Sequence, residues 1–211
     1  MYLFILDKPV VSVEFLKKVL EDHIPIVWID HHNSLCDIEE VYHYDPQKSN
    51  GTNEPVSYMS YIISGRKEDI WLAMIGCISD ALIPDFYDEF LQKFPHLGKK
   101  QPKSAFDLLY RSEIGTIARI LDFSLKDTTT NVVNMIKFMT GANGPMDIFE
   151  ENSRTEHILQ RYKEVNKKYQ ELLEKARNHI ENRIIYFQYG GQLSLSSNLA
   201  NQLMFEYPNK I

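Results

Sequence analysis

The sequence predicts an α/β protein built on a parallel sheet, and three observations carry that expectation. "YLFIL" (2–6) and "IPIVWI" (24–29) are short apolar runs bounded by polar residues, the pattern of strands. Between them, "SVEFLKKVLEDH" (12–23) places Val13, Phe15, Leu16, Val19 and Leu20 at helical spacing behind a Ser12 cap. A strand, a helix and a strand in this order form a βαβ unit, whose two strands run parallel.

The rest of the chain is read in order. "EEVYHYDP" (39–46) has the character of a further short strand. "NEPVSYMSYIISG" (53–65) and "KEDIWLAMIGCISDALI" (67–83) predict two helices, the second largely buried, with Asp80 near its end. Residues 84–103 are a Pro- and Lys-containing connection around a short helix, "YDEFLQKF", and Lys99, Lys100 and Lys103 form a small basic cluster. Short helices follow in "SAFDLLYRS", "EIGTIARILDF" and "TTTNVVNMIKFMT", the last stopped by "GANGP". A long helix is expected over about 154–182. Its Ile158, Tyr162, Val165, Tyr169, Leu172, Ala176 and Ile180 make a narrow seam of the kind that suits a helix linking two domains. "RIIYFQYGG" (183–191) restarts β structure, and "SSNLANQLMFEYP" (196–208) reads as a capped helix. The expected organisation is a parallel-sheet domain with a helical insert over 1–152, a linker helix over 153–182, and the beginning of a second α/β domain over 183–211.

Composition narrows the function classes. The 211 residues are 44% hydrophobic and 25% charged, ordinary for a globular protein. No apolar run approaches the roughly 20 residues of a membrane span. Asp7 interrupts the first apolar run with no basic segment before it, which argues against a signal peptide. Cys36 and Cys77 make no disulfide framework, so a reducing, cytoplasmic setting is expected. A net charge of −6 argues against a surface coated for phosphate backbones. It leaves room for a local basic groove, and it fits a carboxylate-rich metal site.

The stretch "IVWIDHHNS" (26–34) points to such a site: a strand that reads as buried core ends on Asp30, His31 and His32. Asp7 lies just past the preceding strand, and ligands of open α/β sheets sit beyond the carboxyl ends of strands. A buried, unpaired Asp80 would be costly and needs a partner, which a metal ion would supply. Asp and His together suit a borderline divalent cation, and oxygen-rich sets with one or two imidazoles fit manganese best. A pair of such ions can clamp the attacking and leaving oxygens in phosphoryl transfer. Of the scattered histidines, His43 in "VYHYD" is the strongest further candidate, and Asn33 and Ser34 read as turn caps.

"VWIDHHNS" resembles the signature of the DHH phosphoesterases, which include RecJ-type exonucleases, nanoRNases, cyclic-dinucleotide phosphodiesterases and manganese-dependent pyrophosphatases. "FILDKP" resembles that family's second motif, "IDHH" its third and "AMIGCISD" its fourth, in the same order and at similar spacing. The long helix resembles the family's interdomain helix, and "YGGQLSLSSNLANQLMFEYPNK" is similar to the start of the substrate-binding domain in archaeal RecJ-like members. The resemblance implies that Asp7, His31 and Asp80 are metal ligands, with Asp7 bridging two manganese ions, and magnesium as an alternative. It implies that His32 faces the scissile phosphate and that Asp30 orients the histidines.

The implied activity is manganese-dependent hydrolysis of phosphodiester bonds, as a RecJ-like exonuclease on single-stranded DNA or RNA. A nanoRNase or cyclic-dinucleotide phosphodiesterase acting on short oligonucleotides, and an inactive scaffold in a replication or repair complex, are the alternatives. The family's first motif, of the form HxxxDxDG, and its later Gly- and His-rich motif have no counterpart here. The chain is therefore expected to be a piece of such a protein, with one metal site complete.

Overall fold

The structure, a computed structural model, describes residues 1–49, 51–181 and 183–210. It is a mixed α/β protein with a three-stranded parallel sheet. The chain divides into two compact units, Met1–Pro84 and Asp85–Ile211.

The first unit contains β1 (Leu3–Leu6), α1 (Val13–Glu21), β2 (Ile26–Ile29), β3 (Val41–Tyr44), α2 (Pro46–Ser49), α3 (Val56–Ser64), a 3-10 turn at Lys67–Asp69, and α4 (Ile70–Ser79). α1 starts where the sequence places it: the Ser12 side chain accepts a hydrogen bond from the Phe15 amide at 3.2 Å. β1, β2 and β3 lie in that order, all parallel, in a register that aligns Leu6, Ile29 and Tyr44. Successive strand residues face opposite sides. One side carries Ile26, Trp28 and Val41, buried with Leu16 of α1. On the other, Ile29 packs with Val56 and Met59 of α3, while Phe4 and Tyr42 stay 60% and 69% exposed. α3 and α4 lie against each other at Gly76, where a Cβ would run into the Ser57 side chain.

The helix expected over 67–83 is divided into the turn and α4, and α4 stops at Ser79. Asp80 becomes its C-cap, and its side chain is exposed rather than buried. The expectation of a buried carboxylate is corrected on this point: the helix ends at Ser79, four residues before the expected end at 83, and Asp80 falls at the surface beside the turn through Ala81 (φ 60°).

The second unit holds α5 (Tyr87–Lys93), α6 (Ala105–Arg111), α7 (Glu113–Ser124), α8 (Thr129–Thr140), a 3-10 turn at Pro145–Ile148, α9 (Glu156–Arg177), β4 (Ile180–Glu181), β5 (Ile184–Ile185) and α10 (Ser196–Glu206). Its core joins Phe123 of α7, Val165, Tyr169, Leu173 and Ala176 of α9, and Leu199 and Leu203 of α10. The compact units thus part at Pro84, within the segment expected as one domain, and the long helix is a core element of the second unit. Its buried stripe uses Leu173, fully buried, where the seam read from the sequence has Leu172; a straight helix advances 3.6 residues per turn, so the buried stripe drifts from a strict seven-residue repeat. The β structure expected over 183–191 shrinks to two residues paired antiparallel with Ile180–Glu181.

Candidate metal centre

The last aligned pair of β1 and β2 is Leu6 with Ile29, so the residues that follow emerge side by side. The Asp7 amide donates to the Ile29 carbonyl at 3.0 Å, and the Asp30 amide donates to the Tyr44 carbonyl at 3.1 Å. These bonds extend the ladder one residue beyond each strand and then release the chain at the carboxyl edge of the sheet.

Asp7, His31 and His32 meet there. His31 Nε2 lies 3.5 Å from Asp7 Oδ1, and His32 Nδ1 lies 3.6 Å from the same oxygen. The two imidazoles meet edge-to-face with centroids 4.2 Å apart. One ligand atom from each of the three residues falls within 4.8 Å of the others, the one such cluster among the described residues. His31 is 8% exposed, yet neither of its ring nitrogens has a hydrogen-bond partner. Leaving a buried polar atom unpaired costs about 1–3 kcal/mol. A cation between His31 Nε2 and Asp7 would satisfy one of them, and a carboxylate with two imidazoles is a donor set that borderline divalent ions accept. The residues present therefore fit a metal.

Asp30 stands behind the cluster, fully buried. Its Oδ1 accepts from the His32 amide at 2.6 Å and lies 3.2 Å from His32 Nδ1. A buried carboxylate needs such partners, and these fix the turn that presents the histidine pair. His32 is the more open of the two, with about half its side chain exposed.

The backbone is bent to make this arrangement. Asp7 (φ 54°), Asn33 (φ 53°) and Ala81 (φ 60°) adopt the left-handed conformation, which costs a non-glycine residue about 1–3 kcal/mol. Each sits in or beside a segment that carries a candidate residue.

The expected ligand Asp80 stands apart from the three-residue cluster. It is nevertheless electrostatically coupled to it: partial desolvation raises its pKa, His31 lowers it, Asp7 raises it and His32 lowers it. As the C-cap of α4, Asp80 also lies at the negative end of a helix dipole, which favours a nearby cation.

One arrangement was only half visible in the sequence. Ser34, read as a turn cap, is buried, and its Oγ lies 2.7 Å from His43 Nε2 on β3. The Lys48 ammonium donates to the Ser34 carbonyl at 2.5 Å. The signal for this link was a His on the central-facing side of a strand, which periodicity alone reads as core.

No family model, curated protein or solved structure matches the chain.

Proposed function

We propose that the chain is the metal-holding part of a DHH-type phosphoesterase that hydrolyses phosphodiester bonds, in the manner of a RecJ-like exonuclease on single-stranded DNA or RNA. The observation that carries this is the convergence of Asp7, His31 and His32 at the carboxyl edge of a parallel sheet, with both nitrogens of the buried His31 ring lacking a hydrogen bond. Asp7, His31 and His32 would hold the ion, with Asp80 completing the site from the end of α4. A divalent cation bound there, manganese or magnesium, supplies Lewis-acid stabilisation of charge on a phosphoryl group. Asp30 holds the His32 ring and amide in place, and the open side of His32 is where a substrate phosphate would meet the protein. No helix among the described residues is long and apolar enough to cross a membrane.

Manganese titration by calorimetry tests the reading. The chain should bind one ion, Asp7→Asn should abolish binding, and Asp80→Asn should weaken it about 10-fold or more, as loss of a metal partner does. Incubation with labelled single strands, short oligonucleotides and cyclic dinucleotides in the presence of manganese then ranks the substrates. No manganese binding by the unaltered chain would overturn the proposal.

A further inference from the structure

We propose that His43 is a positioning residue of this centre, bracing from β3 both arms that carry its ligands. The inference rests on the metal-centre reading above and adds a residue that contacts none of the ligands directly.

The two arms are the turn after β1, which carries Asp7, and the turn after β2, which carries His31 and His32. His43 touches a support of each. Its Nε2 lies 2.7 Å from Ser34 Oγ, two residues beyond His32. Ser34 is only 2% exposed, so water does not replace this bond easily. On its other side the His43 ring rests against Trp28, with centroids 4.7 Å apart. The Trp28 indole N–H donates to the Lys8 carbonyl at 2.9 Å, and Lys8 follows Asp7 directly. One imidazole thus reaches Ser34, which closes the turn carrying His31 and His32, directly, and reaches Lys8, the residue next to Asp7, through Trp28.

The need for such a brace is visible in the backbone. Asp7 and Asn33 are both left-handed, and a strained turn relaxes unless its surroundings hold it. The Lys48–Ser34 bond holds the second turn through its backbone, leaving the Ser34 hydroxyl for His43. Burial and then the Lys48 ammonium lower the His43 pKa, against the pull of Asp45 and Asp30. A neutral ring has one donor and one acceptor nitrogen, which suits a hydroxyl partner.

The test is manganese binding by the full chain, read by calorimetry and by the electron paramagnetic resonance of the bound ion. His43→Phe keeps an aromatic ring against Trp28 and loses the link to Ser34. Ser34→Ala removes the same link from the other end. Each should weaken manganese binding about 10-fold, at the low end of what supporting partners of metal ligands contribute. The double variant should be no weaker than either single one, because both remove one bond. His43→Gln, whose amide can still reach a hydroxyl, should stay near the unaltered affinity, and the resonance line shape should change only in the variants that lose the link. A residue that merely stabilised the fold would lower the melting temperature and leave affinity and line shape alone. Native affinity in both folded His43→Phe and Ser34→Ala would overturn the role of His43 while leaving the metal centre standing. If His43→Phe does not fold, Ser34→Ala decides, since it leaves the ring stack intact. Absence of manganese binding by the unaltered chain would instead overturn the centre, and this role with it.

Discussion

Single residues in this protein are placed by partners that the spacing of the sequence does not single out. Asp107 is an example outside the candidate centre. It is 2% exposed, and both its oxygens accept from the Lys99 ammonium at 2.7 Å, while Oδ2 also accepts from the Lys103 amide at 3.1 Å. The Lys99 hydrogen bond, opposed by desolvation, holds the Asp107 pKa below its ordinary value. The sequence showed Lys99 and Lys103 as a basic cluster; in the fold the Lys99 ammonium and the Lys103 backbone amide meet one buried carboxylate. Because the folded-state pKa is depressed, this interaction stabilises the fold fully above the unfolded value of 3.8, and the contribution is lost as pH falls through the folded value. Asp107→Asn should destabilise the protein by about 2–4 kcal/mol near neutral pH, somewhat below the range for fully buried pairs because Lys99 is partly solvated. Urea unfolding at pH 7, 5 and 3 checks this: the gap between the variant and the unaltered chain should narrow at the lowest pH.

At the scale of elements, the packing of α3 on α4 determines where Asp80 is delivered. Gly76 lets the two helices approach, since any Cβ there would overlap the Ser57 side chain. Gly76→Ala should therefore destabilise the fold by about 1–3 kcal/mol, the usual effect of overpacking. Adding Ser57→Gly removes the atoms in the way and should recover part of that loss, which equilibrium denaturation of the two variants beside the unaltered chain would show. The same variants should weaken manganese binding if Asp80 contributes to the centre. Helix positions such as α1, α7 and α9 were legible because an amphipathic stripe repeats every three to four residues. The termini were less so: α9 stops at Arg177 and α4 at Ser79 because local caps and turns end them, and caps leave a weaker imprint than periodicity.

At the scale of the molecule, the sheet is incompletely covered within its unit. Parallel sheets usually bury both faces. Here Phe4 and Tyr42 stand exposed on either side of Val27, and β1 and β3 are edge strands. An exposed apolar face beside open edges favours association. The chain should therefore self-associate as its concentration rises. Phe4→Lys with Tyr42→Lys should suppress this without lowering the melting temperature appreciably, since neither side chain is buried. Sedimentation velocity across a concentration series, beside thermal melting, checks both parts; unchanged association in the double variant would exclude this face as its cause.

By itself, the sequence determined that the protein is mixed α/β, that β1 and β2 are parallel across α1, and that Asp7, Asp30, His31 and His32 fall at strand ends. Those features follow from local spacing, and spacing survives in one dimension. Tertiary structure alone decided that His32 joins Asp7 and His31 in one cluster while Asp80 stands at its margin, exposed at a helix end. It alone decided that His43 meets Ser34, that Lys99 serves Asp107, and that the long helix is buried in the second unit. Each of these depends on how turns with left-handed residues redirect the chain and on which side chain first fills a buried space, and neither is written in the period of a pattern.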